Sequence, residues 1–355
     1  MPLLFLNNKP HPFFFTLIHQ YMKPGAERFE FYLQKLEPLL QQAAMENNPA
    51  QYLFNNDART PLFMLEGLSR LYGNLHNKKK FEKLKERFKQ LEDGLGAVDY
   101  YDGFAKIFMA HPQVPVHLRE FMQLCAAQKL QDLNEILYEQ GWIGAAAPRL
   151  KKIKKQLKEA DWQKPAKELK AIEQFYEQEI AEILQYVSDY TDGFTELEGQ
   201  VHELRRDLRW LSIYPHALQG CIQLAHDDRS NEVTEAYRTP AVLQSRYNVL
   251  PDAGNNKRFL LLEKNYFYAL SWLIAELGTV KDDGLQHYAI TEALCAVAGM
   301  EPRQALNKSF EILGKDPGHL EQLLQYAGTI VQSYLSGQCL QNLVMGTAKI
   351  NPEAA

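Results

Sequence analysis

Residues 81–95 read FEKLKERFKQLEDGL, and their apolar positions recur every third or fourth residue. The apolar side chains of this stretch are Phe81, Leu84, Phe88, Leu91 and Leu95. The positions between them are mostly Lys, Glu, Arg and Gln, so one face of a helix is apolar and the opposite face is charged. The spacing predicts an amphipathic helix, which Gly94 and Gly96 are expected to end.

Three further stretches repeat this helical spacing. They are residues 169–190, 197–211 and 266–277. No run of alternating apolar and polar residues bounded by hairpin turns stands out, so a large β-sheet is not expected. The sequence therefore predicts an all-α protein of about a dozen helices, arranged as two antiparallel helical bundles.

Prolines and glycines mark where the helices are expected to begin and end. Pro165 is expected to open a long helix, and Pro215 to stop or kink another. The stretch 281–284 (KDDG) is expected to break the chain, and 251–256 (PDAGNN) is the clearest predicted loop. The predicted parts are an N-terminal segment (1–24), an N-terminal bundle (25–164) and a C-terminal bundle (165–355).

Charge is distributed unevenly along the 355 residues, whose net charge is −5. Residues 1–164 carry a net charge of +5, and residues 165–355 carry a net charge of −10. Hydrophobic residues make up 46% of the chain, which excludes general disorder. A protein that coats nucleic acid is usually basic throughout, so the acidic second half argues against nucleic acid as the partner.

The cysteines lie far apart, and no Cys-x-x-Cys pair occurs. They are Cys125, Cys221, Cys295 and Cys339. Each lies among apolar residues, so we expect buried free thiols in a reducing compartment and neither a zinc site nor disulfides. Residues 1–21 lack the basic start and the uninterrupted apolar core of a signal peptide or a membrane span. These features predict a cytoplasmic protein without a membrane partner.

The stretch 201–214 reads VHELRRDLRWLSIY and carries a cationic face on a predicted helix. His202, Arg205 and Arg209 share that face, because they lie at positions i, i+3 and i+7. Arg206 lies beside them. The cationic face is offset by one residue from the apolar face, which places it at the edge of the buried side. Guanidinium groups there suit bidentate contacts with phosphate oxygens, and a histidine adds a donor, or a charge when protonated.

Two lysine-rich stretches, 78–89 and 149–158, are also candidates for binding an anion. Clustered lysines attract polyanions through the release of counterions, without sequence specificity. The second stretch is the better candidate because fewer acidic residues dilute it. The alternative for both stretches is a solvated helix face that keeps the protein soluble.

The pattern His-x-x-Arg, followed by Arg209 one turn later and then by Tyr214, resembles the CHAD domain family (conserved histidine α-helical domain). Members of that family form two pseudo-symmetric antiparallel helical bundles, with basic residues on a central groove. The family is associated with binding inorganic polyphosphate. The resemblance therefore implies that His202, Arg205 and Arg209 contact a polyanion. A weaker copy of the family pattern lies in residues 84–102.

The sequence thus predicts a non-enzymatic protein that binds inorganic polyphosphate or another phosphate-rich polyanion, with no cofactor, metal site or catalytic residue. The predicted contacts are His202, Arg205, Arg206, Arg209, Lys151, Lys152, Lys154 and Lys155. Two alternatives stay open. In the first, the cationic face is a structural salt-bridge network in a scaffold that docks protein partners. In the second, Asp227 and Asp228 hold Mg²⁺ in a helical enzyme.

Overall fold

The computed structural model describes residues 23–144 and 147–349. The structure is 73% helical, and the described residues contain one small sheet of three strands. This confirms the prediction of an all-α fold. The predicted N-terminal segment (1–24) lies outside the described residues, apart from its last two.

The described chain up to residue 188 consists of helices joined by short loops. They are α1 (Pro24–Ala43), α2 (Pro49–Asn55), α3 (Arg59–Leu75), α4 (Lys78–Ala110), α5 (Val116–Glu139), α6 (Pro148–Lys158) and α7 (Pro165–Ser188). Pro165 is the first residue of α7, as predicted.

After α7 comes a π-helical turn (Leu197–His202) that leads directly into the next helix. The elements that follow are α8 (Glu203–Ala217), β1 (Ile222–Ala225), α9 (Ser230–Val233), α10 (Pro240–Leu243), β2 (Arg258–Glu263), α11 (Lys264–Ala298), α12 (Pro302–Leu313), α13 (His319–Ser336) and β3 (Val344–Lys349). Pro215 lies inside α8, which ends two residues later. The predicted loop at 251–256 lies between α10 and β2.

Helix α4 runs through Gly94 and Gly96, so the prediction that these glycines end it was wrong. Both glycines lie where another side chain approaches the helix closely. A Cβ on Gly94 would come within 2.9 Å of Leu133 Cδ1, and one on Gly96 within 2.8 Å of Arg59 Nη2. These glycines therefore permit close packing instead of terminating the helix.

The predicted break at 281–284 was wrong for the same reason, because α11 continues through it. A Cβ on Gly284 would come within 2.3 Å of Leu197 Cδ2, so this glycine accommodates the π-helical turn. One and a half turns earlier, Gly278 lies against the side chain of Arg205. Gly278 and Gly284 therefore let α11 pack closely against the chain segment that carries the cationic face.

The largest cluster of buried apolar side chains includes residues from both halves of the chain. Phe29 and Phe81 come from the first half, and Leu208 and Leu273 from the second. A second buried cluster joins α4, α5, α11 and α12. The division into two bundles near residue 165 stays a prediction.

The small sheet has the strand order β1-β2-β3. Strand β1 pairs with β2 in parallel, and β2 pairs with β3 in antiparallel orientation. Leu260 and Leu262 of β2 belong to the main core, and β3 packs on α7. The sheet therefore holds the last described strand on the helical core.

All four cysteines are free thiols, as predicted. Cys221 and Cys339 are buried as expected, but Cys125 and Cys295 are partly exposed, so the prediction of burial was wrong for these two. Within residues 23–144 and 147–349, no helix combines the length and the hydropathy needed to cross a membrane.

Candidate anion-binding site

Helix α8 packs against α3, α7 and α11, which fixes the direction of its cationic face. Leu204, Leu208 and Leu211 are buried in the main core. Trp210 lies over Gly67 of α3, where a Cβ would come within 3.2 Å of the indole ring. The cationic residues next to the apolar stripe therefore lie at the edge of the buried face of α8, as the sequence predicts.

A cleft of about 190 Å³ lies between α3, α4 and α8. It brings together the four residues of the predicted cationic face, which are His202 at the end of the π-helical turn and Arg205, Arg206 and Arg209 on α8. We call it the smaller cleft. Its lining residues are Arg59, Phe63, Glu66, Lys89, Glu92, Asp93, His202, Arg205, Arg206, Arg209, Trp210 and Ile213.

A larger cleft of about 650 Å³ adjoins the first along α8 and reaches α11. Arg205 and Arg209 line both clefts, and so does Phe63. The larger cleft also contains Arg246 and His216, whose Nε2 lies 2.9 Å from the Tyr247 carbonyl oxygen. We call the two clefts together the arginine groove.

Arg209 is half-buried in the groove without a carboxylate partner among the described residues. Its guanidinium group lies over the Phe63 ring, 4.5 Å from the centroid. Burial lowers the pKa of Arg209, and the neighbouring Arg205 and Arg59 lower it further. The site thus holds a cation in surroundings that disfavour its charge.

Arg205 is held against the backbone of α11. Its Nε–H donates a hydrogen bond of 3.1 Å to the Ile274 carbonyl oxygen. The guanidinium group fits there because a Cβ on Gly278 would come within 3.0 Å of Nε. Burial lowers the pKa of Arg205, which the charge of Asp282 partly opposes. The Nη groups of Arg205 donate no hydrogen bond to any residue the structure describes.

Other arginines in this region have carboxylate partners. Arg59 binds Glu92 at 2.6 Å and Asp99 at 2.9 Å. Arg206 pairs with Glu203 on the exposed side of α8. Arg206 therefore behaves as expected if the cationic face is a structural salt-bridge network. That alternative does not describe Arg205 and Arg209, which form no ion pair with any residue the structure describes, although the charges of Asp282 and Glu92 stabilise them from a greater distance.

His202 is neutral near pH 7. Burial and the nearby Lys281 and Arg205 lower its pKa to about 4. Its Nδ1 atom is buried without a hydrogen-bond partner in the described structure. Of the two contributions that the sequence allows for a histidine, a hydrogen-bonding ring and a charge, His202 therefore offers the groove the neutral ring near pH 7.

Glu66 of α3 also lines the smaller cleft, although it is not among the residues predicted for the site. Its side chain is 6% exposed, and its Oε2 atom has no hydrogen-bond partner among the described residues. Burial raises the pKa of Glu66 to about 7, which Lys89 opposes and Glu92 reinforces. No local pattern marks this residue, because its surroundings come from α4 and α8.

The lysines predicted as contacts lie on α6, which packs on α1. Lys154 binds Glu37 at 2.7 Å, whereas Lys151, Lys152 and Lys155 are exposed. No residue of α6 lines either cleft of the arginine groove as the structure describes it. The structure therefore does not bring these lysines together with the cationic face of α8.

The candidate magnesium ligands contact basic side chains within their own loop. Asp227 pairs with Arg229, whose hydrogen bonds lower the pKa of Asp227 to about 2. Asp228 lies 3.1 Å from His226 Nε2. Across the described ranges, no group of three or more His, Cys, Asp or Glu side chains could hold a metal ion.

No protein-family model and no curated protein sequence matches this chain. Function is therefore inferred from the residues of the arginine groove and from their surroundings.

Proposed function

We propose that the arginine groove binds a phosphate-rich polyanion such as inorganic polyphosphate. The observation that carries this proposal is the pair of half-buried arginines, Arg205 and Arg209, without carboxylate partners in the described structure. Removing a charge from water is costly unless a counter-ion compensates it. A bound oxyanion would supply that counter-ion.

The spacing of the two arginines fits a linear ligand. Side chains one helical turn apart have Cβ atoms about 5–6 Å apart, so the two guanidinium groups address neighbouring oxyanion groups. Guanidinium forks bind phosphate oxygens in a bidentate manner. Arg246 in the larger cleft adds a further cation along the same groove. The resemblance to the CHAD family implies the same class of ligand.

The test is binding of labelled long-chain inorganic polyphosphate, followed by fluorescence anisotropy at low and at physiological salt. The variant Arg205→Glu/Arg209→Glu is compared with the control Lys151→Glu/Lys152→Glu, which makes the same charge change on exposed residues of α6. We expect the groove variant to lose binding and the lysine variant to retain most of it. We also expect the affinity of the wild-type protein to fall with rising salt, because binding releases counterions.

A milder variant, Arg205→Gln/Arg209→Gln, and circular dichroism keep the test independent of misfolding. In this variant, each lost phosphate contact should reduce the slope of log affinity against log salt by about 1. Equal binding by the wild-type protein and both folded groove variants would overturn the proposal. So would the absence of polyphosphate binding by the wild-type protein, and a scaffold role would then lead.

A further inference from the structure

Glu66 differs from the other carboxyl groups of the smaller cleft. Glu92 binds Arg59 at 2.6 Å, and Asp93 binds Lys89 at 2.6 Å. Glu66 has no cation partner among the described residues, although only 6% of it is exposed. Its Oε2 atom is buried and has no hydrogen-bond partner among the described residues, and the residue lines a cleft of about 190 Å³.

The charged groups around Glu66 come from three helices. Its own helix α3 supplies Arg59, whose charge is neutralised by Glu92 and Asp99. The groups facing it from α4 are Lys85, Lys89, Glu92 and Asp93. The same cleft is lined by His202, from the π-helical turn that leads into α8, and by Arg205, Arg206 and Arg209 of α8. The cations without carboxylate partners are thus the two groove arginines, which also face the proposed anion.

The protonation state of Glu66 decides what it offers to an anion. An ionised carboxylate has only acceptor oxygens and repels a phosphate, whereas a protonated carboxyl group has an O–H donor. Burial raises the pKa of Glu66 to about 7, so both states are populated near neutral pH. A phosphate that enters the cleft adds negative charge nearby, which favours the protonated state further.

We propose that Glu66 contacts the bound anion in its protonated form, so that binding in the arginine groove takes up a proton. This inference rests on the proposed function and deepens it, because it makes the groove a site for phosphate anions whose affinity depends on pH. Binding is strongest at low pH, where Glu66 is already protonated in the free protein. It weakens as the pH rises, because the proton must then be taken from solvent.

The expected size of the effect follows from the titration of one group. A charged phosphate within a few ångströms shifts a carboxyl pKa by more than one unit at the effective dielectric constant of a protein surface. Between about pH 6 and about pH 8, we therefore expect polyphosphate affinity to fall about five- to tenfold. His202 does not contribute in this range, because its pKa is about 4.

The experiment measures anisotropy with labelled long-chain polyphosphate at constant ionic strength across this pH range. The interior phosphates of that probe remain ionised throughout. Glu66→Gln should bind with nearly constant affinity, and at about pH 8 it should bind more tightly than the wild-type protein. The control Glu86→Gln removes an exposed carboxyl group of α4 and should keep the pH dependence of the wild-type protein.

Calorimetry on the wild-type protein in two buffers of different ionisation enthalpy counts the protons taken up, and it needs no variant. An uptake of about 0.4 to 0.9 proton at about pH 8, which corresponds to the expected five- to tenfold change in affinity, supports the inference. Binding without proton uptake, or the same pH dependence in Glu66→Gln, would overturn it and leave the proposed function intact. A wild-type protein that binds no polyphosphate at any pH would overturn both.

Discussion

Replacing Gly278 by alanine tests how α11 holds Arg205 in the groove. The new Cβ would lie 3.0 Å from Nε and 3.1 Å from Nη2 of Arg205. The guanidinium group would have to move by a few tenths of an ångström, which weakens its hydrogen bond to the Ile274 carbonyl oxygen. The substitution therefore misaligns one of the two unpaired cations without removing any charge.

Two opposing effects set the change in stability. Alanine is about 1 kcal/mol more favourable than glycine inside a helix. A hydrogen bond from a charged group contributes about 1.5–3 kcal/mol, part of which Gly278→Ala forfeits. We expect the free energy of unfolding to fall by at most about 2 kcal/mol. The misaligned guanidinium group should cost about 1–2 kcal/mol of binding free energy, which is a five- to thirtyfold weaker affinity for polyphosphate.

The assay pairs urea unfolding with anisotropy on labelled polyphosphate. Gly103→Ala is the matched control, because it places a methyl group in α4 with no atom within 4 Å. That variant should gain about 0.5–1 kcal/mol of stability and bind like the wild-type protein. An unchanged affinity in Gly278→Ala would show that contact with α11 does not align Arg205 for the ligand.

Three other substitutions probe neighbouring features. Phe63→Leu removes the ring beneath Arg209, and the loss of about 0.5–2 kcal/mol of cation–π attraction should weaken polyphosphate binding about two- to thirtyfold at unchanged helicity. Glu168→Gln leaves Arg28 buried without its counter-ion, so urea unfolding should show a loss of about 3–5 kcal/mol, and unchanged stability would contradict this. Burial lowers the pKa of His287 from 6.5 to about 4, so its contribution to stability is complete above pH 6.5 and is lost as the pH falls toward 4. His287→Asn should flatten that part of the pH profile in urea unfolding, and an unaltered slope would refute the assignment.

The long helices could be predicted because each carries its signal in its own sequence. The stripe that begins at Phe81 is buried as its spacing indicates. The glycines were misread because glycine serves two purposes, ending a helix or letting a neighbour approach. Gly94 lets Leu133 approach its helix closely, and Gly284 does the same for Leu197. Both partners are distant in sequence, so no local pattern could reveal them.

The same limit applies to the candidate site and to the small sheet. Arg205 and Arg209 could be predicted because their spacing on one helix places them on one face. Glu66 could not, because its burial depends on three helices that meet only in the folded chain. Strand β2 shows no alternation of polar and apolar residues, and its partner β3 follows only after α11, α12 and α13.

Arg205 and Arg209 line both clefts, so under the proposed function they would contact the middle of a linear anion and would not need its end. For the proposed ligand, every interior phosphate is then an equivalent place to bind. The number of such placements grows with the length of the polymer, and a tenfold increase in their number is worth about 1.4 kcal/mol. The groove would therefore bind long chains with higher affinity than short ones for a purely statistical reason, without any contact that recognises chain length.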